Sequence, residues 1–238
     1  MKNVKISVIT SLYNSSEYLA RFLDNFLNIS NLNDVELVIV HNEPTPVELE
    51  IINKFSNKIP NFNYNRVDRE TIYASWNRAI KLSKGDYLAM WSVDDRREVE
   101  SLKRQSMLLD KDSDCMVVTG NYYKVFSYGE TKGYLKKDKV EYSLLNNMPK
   151  FNNGCFLMWR KSVHDKIGFF DEQFQIAGDW EFWLRITSNF KAQSTNTTLG
   201  YYLRQENEGI SKKKGSNNVE NQIIKLRYYN YFIINVYT

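Results

Sequence analysis

Gly85-Asp86-Tyr87-Leu88-Ala89-Met90-Trp91-Ser92-Val93-Asp94-Asp95 sets a short apolar run, the length of a buried strand, directly against two adjacent carboxylates. Ligands of open α/β sheets bind just beyond the C-terminal ends of strands, so the doublet stands where chemistry is expected. Neighbouring carboxylates are costly to desolvate unless something positive shares the site. A hard divalent cation bridging substrate phosphates is such a partner. The competing explanation is an Asp-Asp turn between strand and helix, because Asp caps helices and favours turns. These residues alone leave both open.

Working outward, the first half alternates two periodicities. Val4 to Thr10, Glu36 to Val40, Phe62 to Val67 and Tyr87 to Trp91 read as buried strands. Between them, Tyr18 to Phe26 has helical spacing, and Thr45-Pro46-Val47-Glu48 predicts a capping box with Pro at the first helical position, opening a helix to about Lys58. Ile72, Trp76, Ala79 and Ile80 share one helical face, and Gly85 falls where a C-terminal cap is expected. Val99 to Leu109 reads as another amphipathic helix. This rhythm predicts an α/β fold with a mainly parallel sheet flanked by helices. Three segments then converge at one edge: Thr10 to Asn14, His41-Asn42-Glu43, and Asp94-Asp95. After Cys115 to Thr119 the pattern turns mixed, with a polar, Lys-rich stretch from Tyr128 to Lys150, then Phe156 to Trp159, a helix from Asp179 to Thr187, and Tyr201-Tyr202-Leu203.

Composition narrows the function. The 238 residues suffice for one large domain, and 42% hydrophobic with 25% charged residues are ordinary globular values. A formal charge of +4, dispersed along the chain, argues against nucleic acid as partner. Two cysteines, Cys115 and Cys155, are too few for a disulfide framework or a zinc site. The apolar part of the opening residues is too short for a signal peptide, and no run reaches the ~18 apolar residues of a membrane span, so a cytoplasmic protein is expected.

Four blocks in order resemble the family 2 glycosyltransferases, which share the GT-A fold. Ser7-Val8-Ile9-Thr10-Ser11-Leu12-Tyr13-Asn14 is similar to that family's opening strand and turn. Ile72 to Ile80, followed by Lys84-Gly85-Asp86-Tyr87, is similar to its central helix. Trp91-Ser92-Val93-Asp94-Asp95 stands where it carries a DXD-type motif. Gly168-Phe169-Phe170-Asp171-Glu172 with Gly178-Asp179-Trp180-Glu181-Phe182-Trp183-Leu184-Arg185 resembles the blocks around its catalytic base. The match runs from residue 6 to about 211, implying a GT-A (Rossmann-like) domain over 1–211 and a basic, aromatic extension over 212–238.

The resemblance implies a sugar transfer from a nucleoside diphosphate donor, a UDP-sugar foremost, to a hydroxyl of a saccharide or lipid-linked saccharide, with inversion. It implies Mn²⁺ or Mg²⁺ on Asp95, Asp94 near the ribose or donor sugar, Thr10 and Tyr13 against the nucleotide, Trp76 and Asn77 on the donor side, and Asp179 as general base. Each has a plainer reading beside it: Tyr13 as a loop aromatic over the core, Trp76 as a core residue, Asp179 as a helix cap. Glu181 is expected to pair with Arg185 at the i,i+4 spacing. Two positions depart from the family pattern. His41 stands where an Asp commonly reads uracil, and Glu206 takes the place of a closing His, which implies strict metal dependence. The 212–238 tail, apolar beside Lys225 and Arg227, reads as an interfacial helix giving peripheral membrane contact, or as a helix packed on the domain or a dimer contact. The rivals are a catalytically silent sugar-nucleotide or glycan-binding protein and a nucleotidyltransferase. The second is disfavoured because residues 10–16 hold no Gly and no basic residue.

Overall fold

The computed structural model describes residues 4–138, 155–204 and 219–228. The strands are β1 (Ile6–Leu12), β2 (Val35–Asn42), β3 (Phe62–Val67), β4 (Tyr87–Met90), β5 (Arg96–Arg97), β6 (Cys115–Val125), β7 (Tyr134–Lys136), β8 (Met158–Arg160) and β9 (Lys191–Leu203). The helices are α1 (Ser16–Leu27), α2 (Pro46–Ser56), α3 (Ile72–Leu82), α4 (Ser101–Lys111), α5 (Val163–Ile167), α6 (Gly178–Asn189) and α7 (219–228). One mixed sheet runs in the order β3-β2-β1-β4-β8-β6-β9-β5, with β7 added to β6. The long ladders, β1 with β2, β2 with β3 and β6 with β9, are parallel, whereas β8 is antiparallel to both β4 and β6.

Strand alternation divides the core between two faces. Val8, Leu37, Ile39 and Ala89 point to the face covered by Leu19, Phe22, Leu23 and Phe26 of α1, Ile52 and Phe55 of α2, and Leu102 and Leu109 of α4. Ile9, Val38, Leu88 and Met90 point to the other, covered by Tyr73, Trp76, Ala79 and Ile80 of α3 and by Trp180, Phe182 and Trp183 of α6. Burial of each such large side chain stabilises the fold by about 1.5–3 kcal/mol. The capping box exists as expected: Thr45 accepts the Glu48 N–H, and the Glu48 carboxylate accepts the Thr45 N–H.

Gly85 is not the cap of α3. That role falls to Ser83, in extended conformation. Gly85 is required by close approach, since a Cβ there would lie 2.6 Å from the Ser7 nitrogen. The same corner is tied by buried Glu36, which accepts from Ser7 Oγ at 2.7 Å and from the Lys84 N–H at 2.9 Å. The second half departs further from expectation. Its last strand spans thirteen residues, Lys191–Leu203, where the sequence pattern marked only Tyr201 to Leu203. The tail's described part, α7, packs on the domain through Ile224 (0% exposed) and Tyr228 (7%). Glu206 and Lys212-Lys213-Lys214 lie outside the described residues.

Candidate active site

The spatial order 3-2-1-4 makes β1 a switch point: β2 extends the sheet on one side of it and β4 on the other, both parallel to it. A crevice opens beyond the carboxyl ends of strands at such a point, and it receives the β1–α1 turn and the residues after β4. Backbone strain marks both flanking turns. Asn14 (φ 49) follows β1 and Glu43 (φ 44) follows β2, each in the left-handed region that non-glycine residues rarely occupy.

The doublet is built into the core from below. Trp91, 1% exposed, donates its indole N–H to the Asp95 carbonyl at 3.0 Å, and the Asp95 N–H closes a turn on Ser92 at 3.1 Å. Thr10 Oγ1 donates to the Trp91 carbonyl at 2.9 Å, so Thr10 fastens β1 to this turn with its hydroxyl already engaged. The Asp95 side chain is 1% exposed; its Oδ1 accepts the Leu203 N–H at 3.2 Å from the end of β9. Its Oδ2 has no hydrogen-bond partner among the described residues. Burial, then the charge of neighbouring Asp94, pushes the Asp95 carboxyl well above its ordinary range, and burial raises Asp94 as well. A buried carboxylate oxygen without a donor beside a second carboxylate fits a hard divalent cation, which completes its shell with substrate phosphates and water. Among the described residues no cluster of three or more such ligands exists, and of these residues Asp95 is the one that would hold the cation, with Asp94 beside it.

A cation unread in the sequence sits beneath this turn. Arg97, 2% exposed, donates to the Met90 carbonyl and to Gln105 Oε1, both at 2.8 Å, and lies over the rings of Trp91 and Phe156. Burial pushes its guanidinium down to about 9, opposed by Cys155 and Asp95.

Asp179 opens α6. Its Oδ1 accepts the Trp180 N–H at 2.9 Å and the Tyr73 hydroxyl at 3.5 Å, while Tyr73 Oη accepts the Gly178 N–H at 2.8 Å. The approach of α3 to α6 is so close that a Cβ on Gly178 would lie 2.8 Å from the Tyr73 ring. Burial pushes the Asp179 carboxyl up to about 6, against the Trp180 N–H, which favours the anion. The cap and the raised proton affinity thus coexist in one residue. Glu181 points elsewhere and pairs with Arg185 at 2.7 Å, as its spacing predicted.

The Tyr202 hydroxyl is raised first by burial and then by the charges of Asp95, Cys155, Asp94 and Asp179.

On the β1–β3 side a cavity of about 580 Å³ is lined by Glu43, Pro44, Arg66, Val67, Asp68, Arg69, Glu70 and Arg78. Tyr13, 41% exposed, lies beside it with the Arg69 guanidinium 3.2 Å from its ring centre. Asn42 is the hub: it donates to Ser75 Oγ at 3.0 Å and the Leu12 carbonyl at 3.3 Å, and accepts the Glu70 N–H at 2.9 Å. His41 does not reach this cavity. Fully buried beneath it, the ring bonds Tyr64 Oη at 2.9 Å and stands 3.4 Å from Glu48, with burial holding it below the usual imidazole range. Trp76 is 8% exposed and packs against Tyr73 and Phe170 in the core. Asn77 spends both ends of its amide on the 170–172 loop, through the Phe170 backbone and Glu172. The sequence contained a signal for Asn42, a polar residue at the end of a buried strand, but none that separated it from adjacent His41.

The family described as Glycosyl transferase family 2 matches residues 7–168, more than half of the chain. An uncharacterized glycosyltransferase of Rickettsia typhi is 25% identical over 216 residues, covering 82% of this chain and 67% of that protein. A poly(ribitol-phosphate) beta-glucosyltransferase of Bacillus spizizenii is 25% identical over 211 residues, 87% of this chain but only 33% of its own length. Among solved structures, S. aureus TarS 1-349 in complex with UDP-GlcNAc superposes with a TM-score of 0.77 at 21% identity, covering 95% of this chain and 67% of that one. A mannosyltransferase from Pyrobaculum calidifontis in complex with GDP-Man and Mn²⁺ gives 0.62 at 13% identity, covering 90% and 59%.

Proposed function

The chain belongs to glycosyl transferase family 2 and has the GT-A fold, and from that premise we propose that it moves a sugar from a UDP-sugar to a hydroxyl of a saccharide or lipid-linked saccharide with inversion. The observation that carries this reading is the buried Asp95 carboxylate just beyond β4, whose Oδ2 has no hydrogen-bond partner among the described residues, with Asp94 beside it. Asp179, at the head of α6, adds a carboxylate of raised proton affinity.

Asp95, through its unpartnered Oδ2, would hold the cation, with Asp94 beside it near the ribose or donor sugar; the bound ion would supply Lewis-acid neutralisation of the departing diphosphate. Tyr13 with Arg69 and the charged cavity beside them receive the nucleoside. Uridine is supported by TarS, whose structure contains UDP-GlcNAc. Asp179, held by Tyr73 and the Trp180 N–H, takes the proton of the acceptor hydroxyl. That oxygen forms the new bond to the anomeric carbon as the bond from this carbon to the diphosphate oxygen breaks. A single displacement inverts the anomeric configuration.

The test is UDP release from UDP-glucose and UDP-N-acetylglucosamine, with GDP-mannose as control, in Mn²⁺ and in a chelator. Metal-dependent release from a UDP-sugar, abolished in Asp95→Ala, supports the reading. Binding without release over hours sinks it in favour of a sugar-nucleotide-binding protein.

A further inference from the structure

The start of α6 lacks an ordinary cap. Its N-cap residue is Ala177, which has no side chain to accept the N–H groups exposed at a helix N-terminus. A carboxylate from far along the chain takes the Ala177 N–H and the two amides before it, while Tyr73 and Asp179 take the Gly178 and Trp180 N–H groups. Glu220 of α7 accepts the Gln175 N–H through Oε1 at 2.8 Å, and the Ile176 and Ala177 N–H groups through Oε2 at 2.9 and 2.7 Å. Three consecutive amides immediately before Gly178-Asp179 are thus gathered on one side chain.

The rest of α7 keeps that carboxylate in register. Ile224 and Tyr228, one turn apart, are buried in the core face that contains Trp180 and Trp183. Tyr228 donates its hydroxyl to Glu181 Oε1 at 2.9 Å, and Arg227 reaches Asp171 at 2.8 Å. The helix therefore grips α6 just before and just after Asp179, and it lies beyond residue 168, where the family match ends.

We propose that Glu220 is a positioning residue for the reaction: by clamping the 175–177 amides it fixes where Asp179 stands at the head of α6. This rests on the reading of Asp179 as general base. Charge acts in the same direction as geometry. The groups that act on Asp179 are Tyr73 from α3, Glu220 from α7, Tyr202 from β9 and its own helix's first N–H groups. Burial is the main reason its carboxyl is raised, and the Glu220 charge adds to it.

The experiment uses the full chain with Glu220→Gln, which keeps shape and part of the acceptor set, and Glu220→Ala, which removes it. Three readouts are taken: amide hydrogen exchange at 175–178, the ¹³C titration of the Asp179 carboxyl (assigned by its loss in Asp179→Asn), and UDP release from UDP-N-acetylglucosamine with Mn²⁺. Exchange should quicken in both variants. The Asp179 titration should move down from about 6 in Glu220→Gln. Turnover should fall about ten- to hundredfold at unchanged KM, the cost of a misplaced catalytic group, with no further loss when combined with Asp179→Asn. Unchanged exchange and titration in Glu220→Gln, or losses that multiply in the double variant, overturn the proposal. Full turnover in Asp179→Asn alone instead overturns the base assignment, while exchange and titration still decide whether Glu220 holds Asp179.

Discussion

Asp179 illustrates how one carboxylate can be both held and reactive. A cap is normally pulled toward the anion by backbone N–H groups, yet burial outweighs them here and leaves the carboxyl at about 6. The consequences for pH have opposite signs for activity and stability. A base must be deprotonated to act, so kcat/KM should fall about tenfold per pH unit below about 6 and level off above it. In stability, the folded state binds this proton more tightly than the unfolded chain. The carboxyl therefore costs nothing below the ordinary aspartate range and an increasing amount as pH rises through about 6. Asp179→Asn should accordingly lower turnover by about 10²–10⁴-fold. It should raise stability at pH 7.5 by on the order of 1–3 kcal/mol, read by urea unfolding. A variant that is inactive and also less stable contradicts this account. Of the candidate site residues, the acidic doublet and Asp179 stand out in the sequence because the family resemblance carries them. Tyr73, Arg97 and Glu220 do not, because nothing local distinguishes a Tyr on a helix face or an Arg after a strand until distant segments pack on it. His41 marks the converse: its polar side chain at a strand end suggested a ligand, but strand alternation turns it inward onto Tyr64 and Glu48.

At the scale of elements, the contact between α3 and α6 decides where Asp179 stands. Gly178 is there because the Tyr73 ring occupies the space a Cβ needs, 2.8 Å away. Gly178→Ala should therefore push the two helices apart. A loss of about 1–3 kcal/mol in urea unfolding is the expected cost of such overpacking, with turnover falling more than donor affinity. A variant with unchanged stability would show that the close approach is not real. Elements whose signals are local were readable: β3 matches its expected bounds, and the Thr45–Glu48 box opens α2 as its residues dictate. β9 was not readable over most of its length. Gln193 to Thr198 is a polar run without clean alternation, and it is a strand only because β6 supplies a parallel partner more than seventy residues earlier, with register shifts at Thr119 and Asn121. That long-range pairing matters, since the end of β9 delivers the Leu203 N–H to Asp95.

Across the whole molecule, the sheet's switch point explains why residues as far apart in sequence as Thr10 and Asp95 meet at one edge. β1 and β4 point the same way and end side by side, so the Tyr13 turn and the doublet share one edge; the end of β9 reaches it through the Leu203 N–H on Asp95. A buried carboxyl with an unpartnered oxygen beside a second carboxyl is costly to ionise at this edge without a cation. Ligand-linked stability should therefore be coupled: UDP or Mn²⁺ alone should shift the melting temperature little, and the two together substantially more than their sum. Saturation a hundredfold above Kd corresponds to about 2.7 kcal/mol of added stability. The shift should vanish in a chelator and in Asp95→Ala, and persist in Asp179→Asn, because the base meets the acceptor rather than the donor. A full shift by UDP in the presence of chelator would mean that the doublet holds no cation for the diphosphate, and Asp95 would then be a turn residue of the β4 end.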